Sequence, residues 1–155
     1  MADQNPCGDE GQIGTDARAR VMRLLASSPS ARGLNIQFID AAGGQLTLGF
    51  EVAANMINAD GICQGGYLFT LGDTAAAFAC LTRHPRAATQ SAQVTFVAPA
   101  KLGEHLHAEA VEVAHVKRTA IYDVRITGAN RQVIALFRGN FRLFDAAFRI
   151  QKSVH

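Results

Sequence analysis

The sequence has no tryptophan and only two tyrosines, against nine phenylalanines, so its aromatic mass is mostly core material. It has three cysteines, Cys7, Cys63 and Cys80, widely spaced and with no CxxC pair. That pattern excludes a disulfide framework and a zinc ribbon, and reads as reduced thiols in a cytoplasmic setting. Charge is sparse as well. Only 18% of residues are charged, and the formal net charge is +2, too mild for a nucleic-acid binder read from charge alone. Residues 1–14 lack the basic and apolar regions of a secretory signal. The longest apolar stretch, Gly65 to Leu81, is interrupted by Asp73, so no uncharged apolar run is long enough to span a membrane. GxSxG, Walker A and dinucleotide fingerprints are missing too, which removes the α/β-hydrolase route and nucleotide chemistry.

What is present is a chain of 155 residues, 48% hydrophobic, without internal repeats or a low-complexity linker. It has room for one domain. We expect a mobile tail over 1–14, a single domain over 15–144 and a basic tail over 145–155. A short amphipathic helix is predicted after Thr15 or Asp16, either of which can cap it, with Val21, Leu24 and Leu25 at helical spacing and Ser27-Ser28-Pro29 as its stop. Residues 34–52 read as a hairpin. Leu34, Ile36 and Phe38 lie on one face of the first strand, Leu46, Leu48 and Phe50 on one face of the second, and Ala41-Ala42-Gly43-Gly44 forms the turn.

An irregular connection over 53–64 leads into GGYLFTLGDTAAAFACLTR. This segment is apolar on all sides except for Thr70 and Asp73 and is long enough to be a helix, and such a helix is normally buried all round. The C-terminal half alternates as strands: SAQVTFVA, EHLHAEAVEVAHV, RTAIYDVRITG and RQVIALFRGNFRLF, with Ala129-Asn130 turning between the last two. The fold class is therefore α+β, one long helix with five or six mostly antiparallel strands. So few strands cover such a helix only if the sheet curves around it or a second subunit closes the open face. We therefore expect a curved sheet and an obligate oligomer.

Three positions in this frame could carry chemistry. Gly65 and Gly66 sit where loop becomes helix, and a helix start presents unpaired N–H groups that hold an anion or polarise a carbonyl. Two glycines also simply make a tight turn. Asp73 lies two turns into the apolar helix with Thr70, Ala76 and Ala77 beside it. It is either a structural carboxylate satisfied by Thr70 or by backbone donors, or a carboxylate held in a cleft for general-base or nucleophilic work. Asn58 reads as a turn residue of Asn58-Ala59-Asp60-Gly61 or as a group that orders a water or a carboxylate.

The run from Asn58-Ala59-Asp60-Gly61 through Gln64-Gly65-Gly66 to Gly72-Asp73 resembles the signature of hotdog-fold acyl-CoA thioesterases of the phenylacetic-acid degradation type. The likeness continues through Val94-Thr95-Phe96, Pro99, Gly103, Thr119–Val124 and Ala135–Gly139, covering about residues 34–144. The resemblance implies a hotdog fold, with an antiparallel sheet wrapped around one long helix. It also implies a homodimer, often a dimer of dimers, with the active site at the dimer interface. The implied reaction is hydrolysis of an aryl or medium-chain acyl-CoA to free acid and CoA, without cofactor or metal. In the implied site the N–H of Gly65 polarises the thioester carbonyl, with Gly66 beside it. Asp73 of the facing subunit is base or nucleophile, and Asn58 orders the carboxylate or the water. Thr89 corresponds to a Ser or Thr that the family often carries after the helix.

One departure is clear: the family's usual His before the two glycines is Gln64 here, which can hydrogen-bond but cannot shuttle a proton near neutral pH. Lys117, Arg118 and Arg138, then Arg83 and Arg86, are candidates for the CoA phosphates, each weighed against an ordinary solvated charge. His105 and His107 share a strand face but lack a nearby carboxylate or Cys at ligand spacing, and read as exposed strand histidines. Cys63 reads as a packed small side chain. The Asp-x4-His pattern of hotdog hydratases does not occur. The alternative to an enzyme is a non-catalytic acyl-CoA-binding hotdog protein, and neither reading calls for nucleic acid or membrane.

Overall fold

A computed structural model describes residues 10–42 and 45–145. The helices are α1 (Glu10–Ser27), α2 (Pro29–Gly33) and α3 (Gly65–Arg83). The strands are β1 (Gln37–Ala42), β2 (Gln45–Glu51), β3 (Ala87–Phe96), β4 (His105–Val116), β5 (Thr119–Thr127) and β6 (Val133–Leu143). The six strands form one sheet in the order β1-β2-β4-β5-β6-β3, with every neighbouring pair antiparallel.

Period-two patterning decides which face carries the core. In β4, Leu106, Ala108 and Ala110 are buried while His105 and His107 are exposed; in β5, Ala120, Tyr122, Val124 and Ile126 are buried. In β6, Phe137 and Phe141 point in, and Leu136, Arg138 and Arg142 point out. The inward set meets Leu68, Leu71, Ala75, Ala76 and Ala79 of α3, which lies across β2 to β6. This is the curved sheet around a central helix expected from the sequence. The approach is close because Gly72 faces Phe137: a Cβ at Gly72 would sit 2.9 Å from Phe137 Cγ.

The structure departs from the sequence expectations in several places. Helix α1 begins at Glu10, inside the stretch read as a tail, so Thr15 and Asp16 lie within the helix rather than capping it. Pro29 ends one helix but also opens another. It occupies the first turn of α2, where a missing N–H costs nothing, and Ser28 caps that turn by accepting the Ala31 N–H at 3.3 Å. Strand β3 begins at Ala87, four residues before the alternating run, and a bulge between Thr89 and Ser91 absorbs the irregularity. The fully apolar α3 is not buried all round in one chain: Gly66 and Phe69 are exposed, and Thr70, Asp73 and Ala77 are half-buried along the same face. The first hairpin strand starts only at Gln37, because Leu34 ends α2, and Ala41 and Ala42, expected in the turn, are strand residues paired with Leu46 and Gln45. The rest of that turn, Gly43-Gly44, and residues 1–9 and 146–155 lie outside the described residues.

Strand β3 pairs only with β6, so its ten-residue outer edge has no partner among the described residues. An edge that long, flanked by exposed Phe96 and Val97, is a template for another chain.

Candidate active site

The loop before α3 is organised by Asn58. Its Oδ1 accepts the N–H groups of Asp60 (2.9 Å) and Ile62 (3.2 Å), and its own N–H donates to the Ile62 carbonyl at 2.9 Å. Gly61, at φ +77°, completes the turn in a region that L-residues rarely adopt. The turn-residue reading of Asn58 therefore holds for its oxygen, while its Nδ2 donors remain unused among the described residues. A bridge from Ile57 to Cys63, the Cys63 N–H on the Ala100 carbonyl (2.9 Å) and the Gln64 N–H on the Met56 carbonyl (2.8 Å) then deliver the chain to the helix start.

A helix leaves its first four N–H groups without intrahelical partners. Here two are used: Gln64 donates to Met56, and Tyr67 to the Gln64 carbonyl at 3.0 Å. The N–H groups of Gly65 and Gly66 have no partner among the described residues, and the Gln64 side chain makes no capping bond. These amides border a cleft of about 760 Å³ whose walls include Asn58, Gln64, Phe69, Val94 and Phe96. The Phe96 ring closes on Gly65 so tightly that a Cβ there would sit 2.7 Å from Cζ, whereas a Cβ at Gly66 would meet nothing. In the sequence Phe96 stood out as part of an alternating strand and of the family-like run Val94-Thr95-Phe96, not as a wall of the cleft.

Asp73 lies further along α3. Thr70, named as its structural partner, instead donates to the Gly66 carbonyl at 2.9 Å. Asp73 is held by Thr89 of β3, whose hydroxyl donates to Oδ1 at 3.2 Å. Burial pushes the Asp73 carboxyl above its ordinary value, and the Thr89 bond works against that rise. Thr89→Val removes the opposing bond, so the Asp73 pKa rises further. A carboxyl-carbon NMR titration of the variant is expected to show a midpoint at higher pH than the parent; equal midpoints would mean that the hydrogen bond is absent in solution.

One chain does not bring all these groups together. Asn58, Gln64, Gly65 and Gly66 cluster at the start of α3. Asp73 follows Gly65 by eight residues, about 12 Å along the axis at ~1.5 Å per residue. Arg138 projects from the sheet face opposite α3, paired through Nε and Nη2 with Asp123 at 2.5 and 2.6 Å, which raises the guanidinium pKa still further. Arg118 pairs with Asp145 at 2.6 Å, while Lys117, at φ +54°, shapes the β4–β5 turn beside it.

A network at the other end of α3 was not foreseen. Glu112 of β4 accepts from Tyr122 Oη at 2.7 Å and lies 3.1 Å from His84 Nε2. Burial works to raise the Glu112 carboxyl, but the bonds from Tyr122 and His84 and the charge of Arg83 outweigh it and hold the pKa below its ordinary value. Burial, with the Glu112 charge, pushes the nearby Cys80 thiol up to about 12. Cys63 and Cys80 are both buried free thiols. None of the described helices is long and apolar enough to cross a membrane.

Comparison with known proteins places this geometry. Residues 60–135 match the model of the thioesterase superfamily. The acyl-coenzyme A thioesterase PaaI of Escherichia coli K12 is 35% identical over 116 residues, which are 75% of this chain and 83% of that protein. The solved structure of the E. coli PaaI protein from the phenylacetic acid degradation operon superposes with a TM-score of 0.82 at 29% identity, covering 86% of this chain and 96% of the other. A variant of the phenylacetic acid degradation protein PaaI from Thermus thermophilus superposes with a TM-score of 0.71 at 31% identity, covering 76% and 100%. Wrapped sheet, central helix and sequence agree: the chain has the hotdog fold and belongs to the thioesterase superfamily.

Proposed function

We propose that the chain hydrolyses acyl-CoA thioesters, with aryl or medium-chain acyl groups as its substrates. The observation that carries this reading is the pair of unpartnered amides, Gly65 and Gly66, opening onto an apolar-walled cleft. A thioester carbonyl docked there gains negative charge as water adds, and one well-aimed N–H is worth about 3–4 kcal/mol to that transition state. The roughly 12 Å between Gly65 and Asp73 within a chain is bridged if a second copy adds along the free edge of β3 and covers the open strip of α3. Asp73 of one subunit then faces the helix start of the other in a homodimer, with a dimer of dimers as the larger assembly.

In this site Asp73 takes a proton from water as the water oxygen attacks the carbonyl, or its own oxygen attacks to give an anhydride that water then cleaves. Either way the C–S bond breaks, CoA leaves as the thiol and the acid is released. Asn58 contributes its free Nδ2 donors to the water or to the carboxylate. Gln64 offers an amide to the carbonyl or water in place of the family's His, so no imidazole titrates at that position. Thr89 positions Asp73. For the CoA phosphates Lys117 fits best, because Arg118 and Arg138 already hold carboxylates. The buried free thiols suit a reducing cytoplasm.

The second reading, a hotdog protein that binds acyl-CoA without cleaving it, is favoured by Gln64 alone. Thiol release from a panel of aryl- and fatty-acyl-CoAs separates the two. Turnover of at least one ester is expected. Saturable binding of those esters with no thiol released would transfer the assignment to the binding protein.

A further inference from the structure

The His84, Glu112 and His115 side chains form a cluster that the thioesterase reading does not use. We propose that these three side chains bind one divalent ion of the zinc class, clamping the end of α3 to β4.

The cluster depends on a bulge. Three residues apart on a regular strand, Glu112 and His115 would point to opposite faces. Between them the pairing with β5 slips: Glu112 lies opposite Tyr122, Ala114 opposite Ile121, and His115 opposite Ala120. Val113 is the extra residue, and it returns His115 to the face shared by buried Tyr122 and Ala120. His84 reaches this face from the residue after α3, where its N–H caps the helix on the Cys80 carbonyl at 2.9 Å.

Spacing and chemistry then fit a metal. The three ligand atoms lie within 4.8 Å of one another. Donors bound to zinc at ~2.0–2.1 Å in a tetrahedron stand roughly 3.3 Å apart. His84 Nε2 and Glu112 Oε2, at 3.1 Å, are already near that separation, and exposed His115 has freedom to swing inward. Two imidazoles and a carboxylate suit zinc, cobalt, nickel or copper rather than calcium or magnesium. Outer partners are in place as well. Tyr122 Oη orients Glu112, and the Lys117 carbonyl lies 3.2 Å from His115 Nε2, which fixes a proton there and leaves Nδ1 to ligate.

The plain alternative is a simple ion-pair network, in which Tyr122, His84 and Arg83 hold Glu112 without an ion. The Glu112 side chain is only 12% exposed, while Arg83 stands 3.9 Å away and is itself 52% exposed. The two imidazoles touch edge to face with centroids 4.6 Å apart, which brings both rings to the same carboxylate. A divalent ion would join all three side chains through one centre, which the pairwise contacts do not. At the opposite end of a 19-residue helix from Gly65, it would be structural rather than catalytic.

The test uses the tag-free, chelator-treated full chain titrated with zinc chloride by calorimetry and with cobalt chloride by absorption. One Zn²⁺ per chain is expected, with Tm raised by about 5–10 °C at a hundredfold excess over Kd. Co²⁺ should give visible d–d bands. His115→Ala changes an exposed residue and should fold normally, yet weaken binding by about tenfold or more and abolish those bands. Glu112→Gln, which keeps the side chain's shape, should do the same. The proposal is overturned if the parent chain takes up no Zn²⁺ at about 100 μM. It is equally overturned if both variants bind Zn²⁺ as tightly as the parent, which would place the ion elsewhere.

Discussion

Asp73→Asn should lower kcat for acyl-CoA hydrolysis by about 10²–10⁴-fold, the range for removing a positioned base. KM should move little, because Asp73 acts in the chemical step while the amides and apolar wall of the cleft, which hold the ester, are unchanged. The amide keeps the size of the carboxylate and can still accept from Thr89, so local packing survives. Stability carries the discriminating sign. Burial raises the Asp73 pKa in the folded chain. Between the unfolded and folded values the native state therefore binds more protons than the unfolded state, and stability falls as pH rises through that window. Above it, at neutral pH, the ionised carboxylate is a standing cost to the fold. Asn removes that cost, so Tm at neutral pH should stay level or rise while activity collapses. A carboxylate kept for structure would behave oppositely, with Tm and activity falling together. Full activity in Asp73→Asn on every substrate would remove Asp73 from the mechanism.

That trade is why the residue stood out in the sequence. An acid among Leu71, Gly72, Ala75 and Ala76 contradicts its surroundings, and such contradictions mark sites. The helix bounds were legible for a related reason. Glycines punctuate its start and polar Thr82-Arg83 its end, and between them nothing competes with a buried helix. Strands β4 to β6 were legible because alternation over most of their length leaves one register that buries the apolar face. The first four residues of β3, Ala-Ala-Thr-Gln, have no alternation, and their strand state comes from pairing with β6. Thr89 and Asp73 meet only through that pairing. His84, Glu112 and His115 meet through a bulge whose position is set by the partner strand, which no local pattern announces. Helix α2 was hidden because Pro29 is both a stop and a start, and only the Ser28 cap decides between them.

The largest stability loss is expected at Phe137. Its side chain is 2% exposed, packs edge-to-face on Phe69 with centroids 5.2 Å apart, and fills the space over Gly72. Phe137→Ala removes that ring from the seam between β6 and α3 and should cost about 3–5 kcal/mol. Gly72→Ala attacks the same seam from the helix. Alanine favours helix over glycine by about 1 kcal/mol, but its methyl would stand 2.9 Å from Phe137 Cγ and 3.0 Å from Cβ. Those atoms cannot swing away as a side-chain tip does, so helix and sheet must part slightly. Overpacking of this kind costs about 1–3 kcal/mol and should outweigh the helical gain. The double variant decides whether the two effects share one cause. In the Phe137→Ala background the methyl introduced by Gly72→Ala enters vacated space, relieving its clash and filling part of the cavity. The combined loss should then fall short of the sum by about 1 kcal/mol or more, within the range for residues in contact. Urea unfolding at fixed protomer concentration measures all four forms, since any second copy contributes to the midpoint. Strict additivity would mean that α3 already stands clear of β6 at this point, and that glycine at position 72 serves something other than the close approach of helix and sheet.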